Sequence, residues 1–256
     1  MVKKYDKWFY YRLISTIVII GGLITIYINY IVNGDWVRRV DYPFSIVLFN
    51  DQFFSYFTFQ SNILIAIWFL IATIFYFRKF YFIDNIFIKI AVTSYICLTG
   101  AIYITTILPA LFLQSSKAPV REIISGLFLH LVVPILMLIE MIFNRTSLNM
   151  TWKKYFKRNF WLYLIYPITY TLMVVARIFL YLNDPNLKNL PFMIIFPYLP
   201  LFDTTKNFVE LAPEYGKIFG LTAAFVFYIY ALFIMINLAL IAFCKRKPHK
   251  KKSKEN

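Results

Sequence analysis

The sequence predicts an all-α membrane protein: a six-transmembrane-helix bundle with both termini in the cytoplasm. Three observations predict it. Of 256 residues, 61% are hydrophobic and only 15% are charged, with a mean hydropathy of +0.65, outside the range of soluble domains. Apolar runs of about 20 residues, the length that crosses a hydrocarbon core about 30 Å thick, recur six times. Lys and Arg, finally, gather in alternate connections.

The six spans are residues 10–32, 54–77, 86–113, 122–143, 159–181 and 216–243. The first has no small-residue cleavage site after it and reads as a retained helix, not a signal peptide. An even number of spans puts both termini on one side. Nineteen Lys and Arg fall on that side, seven of them between Lys245 and Lys254, against seven on the other. That asymmetry makes the terminal side cytoplasmic. Residues 1–244 form one transmembrane domain, and 245–256 are a disordered polybasic tail that anchors on anionic lipid.

The outer connections are the long ones. Residues 33–53 carry Asp35, Trp36, Asp41 and Asp51. Residues 182–215 include Phe196-Pro197-Tyr198-Leu199-Pro200-Leu201-Phe202-Asp203, too apolar for a free loop and too broken by proline for a helix. They are expected to form a re-entrant or interfacial flap over the outer mouth.

Composition also excludes classes. The net charge of +15 and pI near 9.7 accompany an excess of Lys, Ile, Phe, Tyr and Asn. That is the mark of an A+T-rich genome, so basicity alone does not imply nucleic acid, and a bacterial cell membrane is expected. Cys97 and Cys244 are the only cysteines and make neither a disulfide framework nor a metal site of the usual spacing. No cofactor is expected.

The second span opens on Tyr56-Phe57-Thr58-Phe59-Gln60-Ser61-Asn62. Helical spacing puts Thr58, Ser61 and Asn62 on one polar stripe, which must face protein rather than lipid. The fourth span carries His130, the only histidine outside the tail, within Gly126-Leu127-Phe128-Leu129-His130-Leu131-Val132-Val133-Pro134. At about 1.5 Å per residue, Thr58 lies about 6 Å and His130 about 12 Å below the outer surface, in one half of the membrane. In the fifth span Tyr163, Tyr166, Tyr170 and Arg177 form a polar-aromatic seam, and Thr105 and Thr106 of the third span reach the same half.

An imidazole in hydrocarbon needs a partner and marks function by default. Threonine is a poor nucleophile alone, but a neutral imidazole can take its proton as it attacks a carbonyl and return it to the leaving group. Such a pair suits an ester whose hydrocarbon chains arrive laterally from lipid. Asn62 and Arg177 are the oxyanion candidates, and Ser61, Tyr166 and Tyr170 could line a substrate. Glu140 sits about 80° around its helix from His130 and reads as a structural or supporting acid.

Thr58 within Phe57-Thr58-Phe59, His130 with Pro134 and Ile139-Glu140-Met141, Tyr166-Pro167 with Tyr170, and Pro197-Tyr198 with Pro200-Leu201-Phe202-Asp203 follow one another in order. In this the chain resembles the androgen-induced and androgen-dependent (ADTRP-like) transmembrane family, most closely its bacterial six-helix "Pr-six-Pr" branch. The resemblance implies an intramembrane threonine hydrolase that cleaves fatty acid esters of hydroxy fatty acids, with Thr58 as nucleophile and His130 as base. The alternative reading is a non-enzymatic six-helix transporter or lipid-binding sensor using the same polar cavity. Against a transporter, the sequence has no clear internal repeat and no matched pair of broken helices.

Overall fold

A computed structural model of the chain describes residues 6–33, 45–78, 80–109, 120–144, 148, 151–184 and 215–245. Helices account for nearly all of them, and there is no strand among the described residues. In chain order they are α1 (Lys7–Asn33), α2 (Ile46–Ser55), α3 (Phe57–Ile74), α4 (Tyr81–Asp84) and α5 (Ile86–Ile102), then α6 (Val120–Leu127), α7 (Val133–Phe143), α8 (Trp152–Lys154), α9 (Phe160–Asn183) and α10 (Tyr215–Lys245). Three π-helical segments continue or join them: Tyr103–Ile107 after α5, Phe128–Val132 between α6 and α7, and Tyr155–Asn159 between α8 and α9.

Six helical stretches are long and apolar enough to cross a membrane: Lys7–Asn33, Phe57–Ile74, Ile86–Thr105, Ile123–Phe143, Trp152–Tyr181 and Ala223–Lys245. They match the six expected spans. Polar side chains start several helices. Asp6 Oδ1 accepts the backbone N–H groups of Trp8 and Phe9 at 2.8 and 3.2 Å, Asn85 accepts that of Phe87, and Thr151 that of Lys154. Each satisfies a donor that the first turn leaves without a helical partner.

Long-range bonds fix the up-and-down order. Asp6 meets Tyr76, Arg12 meets Glu140, and Leu148 N–H donates to Cys244 C=O, so the start of α1 and the end of α10 share one end of the bundle. The far end carries α2, which Arg177 of α9 holds through Asp51. α5 is central: 61% of its apolar stretch is buried, against 22% for α1. It runs antiparallel to α6–α7 in a fixed register. Lys89 pairs with Glu140 at 3.1 Å and Thr99 with His130 at 3.2 Å, ten residues on in one helix and ten back in the other. The two pairs therefore lie about 15 Å apart along the axis.

Near the terminal end Glu140, 0% exposed, accepts from Arg12 at 2.7 Å, Lys89 at 3.1 Å and the Asn144 amide at 3.0 Å. Arg12 and Lys89 both lie over the Trp68 ring, 5.8 and 5.3 Å from its centre. One carboxylate thus ties α1, α5 and α7 together around a tryptophan of α3. Burying such ions is costly, and only this density of partners offsets it.

The structure corrects the sequence reading of the helix bounds before the second span. Residues 46–55, expected to lie in a loop and at the start of the second span, form a separate helix. The chain breaks at Tyr56, whose backbone is extended (φ −72°, ψ 129°). Asn50, Asp51, Gln52 and Ser55 explain the break, because their polar groups find partners at the end of the bundle instead of continuing into its apolar length: Asn50 accepts from Tyr27 at 2.7 Å and Ser55 donates to the Gln52 carbonyl. The expected flap from Phe196 to Asp203 and the basic tail beyond Lys245 lie outside the described residues.

Candidate functional site

The polar stripe of α3 is turned inward. Ser61 and Asn62 are buried and Thr58 is half-buried. The Asn62 amide nitrogen donates to the Thr58 carbonyl at 2.7 Å and to the Leu129 carbonyl at 3.2 Å. One side chain therefore links the backbone of Thr58 to the residue just before His130. Both its partners are carbonyls, which only accept, so the amide cannot be flipped and both its hydrogens are engaged. Asn62 thus has no hydrogen left for an oxyanion. What it has left is Oδ1, a buried acceptor without a hydrogen-bond partner.

A second link runs through α5. Ser61 Oγ lies 3.0 Å from the Thr58 carbonyl and 2.9 Å from Thr99 Oγ1, which is 3.2 Å from the Tyr95 carbonyl. Two hydroxyl protons serve these three contacts. The Thr99 carbonyl in turn receives His130 Nδ1 at 3.2 Å. A carbonyl cannot donate, so Nδ1 carries the hydrogen, and in the neutral ring Nε2 holds the lone pair. That is the tautomer a general base needs at Nε2.

Local backbone chemistry explains why the imidazole sits there. His130 belongs to the π-helical segment Phe128–Val132, and Pro134, four residues on, has no N–H to give to the His130 carbonyl. The opposing helix comes close at this point through Gly100, where a Cβ would lie 2.8 Å from the His130 carbonyl oxygen. Tyr103, in the π segment that continues α5, stacks on the imidazole with ring centres 4.4 Å apart and planes 7° from parallel. Sequence reading did not single out Thr99, Gly100 or Tyr103. The readable signal was a pair of small residues, Gly100 and Gly126, on helices that approach closely.

The other expected site residues are engaged in bonds to the surrounding fold. Tyr170 Oη donates to the Ser55 carbonyl at 3.0 Å and accepts from the Phe57 N–H at 3.1 Å, so one hydroxyl satisfies the backbone on both sides of the break at Tyr56. Tyr166 Oη donates to Gln60 Oε1 at 3.1 Å, and Gln60 Nε2 reaches the Phe54 carbonyl at 2.8 Å. Both tyrosines stitch the α2–α3 junction that leads into Thr58. Arg177 is committed at the far end, where Nε and Nη2 donate to Asp51 Oδ2 at 2.9 and 2.5 Å and Nη2 meets Tyr181 Oη at 3.3 Å. Thr105 bonds the Ala101 carbonyl and Tyr228 Oη. Among the described residues no group of three His, Cys, Asp or Glu is placed to hold a metal ion.

No family model matches the chain, and no curated protein and no solved structure is found similar to it.

Proposed function

We propose that the protein is an intramembrane hydrolase of a hydrophobic carboxylic ester, such as a fatty acid ester of a hydroxy fatty acid, resembling ADTRP-like enzymes. The single observation that carries this reading is His130 held by Nδ1 on the Thr99 carbonyl, its Nε2 lone pair kept for chemistry, in the cluster that Asn62 and Ser61 tie to the backbone carbonyl of Thr58. Nε2 takes the Thr58 hydroxyl proton as Oγ1 attacks the ester carbonyl. The C–O bond breaks, the alcohol leaves with that proton, and a water deprotonated at Nε2 then hydrolyses the acyl-threonine. Six apolar helices support a site fed from the bilayer, and the Lys/Arg asymmetry supports cytoplasmic termini in a bacterial plasma membrane.

The test is labelling of the full-length protein in membranes with a lipophilic fluorophosphonate, followed by turnover of a long-chain ester. Thr58→Ala and His130→Ala each abolish labelling while folding and membrane insertion stay intact. Equal labelling of parent and variants overturns the reading. A parent that binds ester but never labels or turns it over favours the lipid-binding sensor.

A further inference from the structure

We infer that Tyr103 is a positioning residue for His130, and that Gly126 is the notch that admits it. The catalytic consequence rests on the hydrolase reading; the positioning itself does not.

Two constraints act on the imidazole from one face of the α5 helix and its π continuation. The Thr99 carbonyl holds the ring edge at Nδ1, and its other lone pair shares the backbone N–H of Tyr103 with the Gly100 carbonyl. Four residues on, the Tyr103 ring covers the imidazole face at 4.4 Å. An edge bond of 3.2 Å alone restrains the ring only within the tolerance of that bond about its Cβ–Cγ axis. A parallel ring at stacking distance removes the remaining swing, because any turn drives the imidazole into it. Nε2 is then left at one fixed bearing.

Tyr103 is itself held. It is 2% exposed, and its ring lies along the helix from His130 to Gly126, one turn earlier. A Cβ at Gly126 would meet Tyr103 Oη at 3.1 Å and Cε2 at 3.3 Å. The hydroxyl end of the tyrosine therefore fills the space that only glycine leaves open, and the glycine fixes where the ring stops. Gly126→Ala pushes on the far end of the ring and moves its near end against His130.

The experiment uses the full chain with ring-¹⁵N histidine, in which His249→Gln leaves His130 as the only histidine. The parent shows one neutral tautomer with the hydrogen on Nδ1. In Tyr103→Leu the two ring-nitrogen signals shift toward each other as tautomers exchange. Tyr103→Phe keeps the parent pattern, and Gly126→Ala moves it in the same direction as Tyr103→Leu. In turnover, Tyr103→Leu lowers kcat about 10- to 100-fold, the scale of a misplaced catalytic group, with KM within about twofold, and Tyr103→Phe restores it. A Tyr103→Leu spectrum identical to the parent overturns the inference. If the parent itself neither labels nor turns over, the hydrolase reading falls, and the nitrogen spectra alone decide whether Tyr103 holds the ring.

Discussion

Gly100 faces the backbone carbonyl of His130 so closely that a methyl group on its α carbon would stand 2.8 Å from the oxygen. Backbone cannot yield as a flexible side chain can. Gly100→Ala is expected to force α5 away from the His130 segment and to destabilise the protein by about 1–3 kcal/mol, the usual range for overpacking. Denaturant unfolding in detergent measures it. Unchanged stability, together with unchanged fluorophosphonate labelling, would show that the two helices have slack there.

Glu140 is bonded to both Arg12 and Lys89. Glu140→Gln removes the charge that both cations share beside Trp68, a loss of about 3–5 kcal/mol. A triple variant, Arg12→Met with Lys89→Met and Glu140→Leu, is expected to recover most of that loss. Failure to recover would mean that the ions contribute more than mutual compensation.

Arg177 meets Asp51 with two donors, whereas lysine has a single amine to offer. Because Asp51 is 42% exposed, solvent screening limits the effect of Arg177→Lys to about 1 kcal/mol or less. Hydrogen exchange of the α2 amides, residues 46–55, should quicken by about fivefold or less, with exchange at Lys89 and Glu140 unaltered. Equal quickening across the chain would refute a local role in holding α2.

The start of α1 is pinned by a pH-sensitive contact. The Tyr76 hydroxyl donates to Asp6, and that bond is the main cause holding the Asp6 carboxyl below its ordinary value. Burial, then the Asp6 bond, pushes the Tyr76 hydroxyl up to about 12. The Asp6 contribution is present above the ordinary carboxylate value of about 3.9 and is lost as pH falls through its lowered native value. The Tyr76 contribution is present below about 10 and is lost as pH rises through about 12. Exchange of the Trp8 and Phe9 amides should therefore be flat near neutrality after correction for intrinsic rates, and Tyr76→Phe should weaken the acid-side protection. An acid profile identical in Tyr76→Phe would assign the effect to the helix cap alone.

The six spans were legible because a membrane asks for length and apolarity, which are local properties. The inward turn of Ser61 and Asn62 followed from helical spacing. Depth counting put Thr58 and His130 in one layer, and the Asn62 bond to Leu129 runs between the same two segments. Partners at long range were not legible. Lys89 read as a charge in a connection, yet it is 5% exposed and pairs with a carboxylate 51 positions on. Tyr103 looked like any other aromatic in an apolar run, since the neighbour that gives it meaning belongs to another helix. The helix at 46–55 was hidden by its own polar residues, which read as loop until Arg177 and Tyr27 supplied their partners.

The Arg12–Glu140–Lys89 cluster also sets an order of events during synthesis. The two cations arrive in the first and third spans, and the carboxylate they share emerges with the fourth, 128 residues after Arg12 and 51 after Lys89. Until then neither has the acid that neutralises it in the finished bundle, and hydrocarbon is a poor place to wait. Any stretch of the chain that ends before α7 therefore carries both cations without the carboxylate that closes the cluster, so one residue late in the sequence completes the junction of α1, α5 and α7.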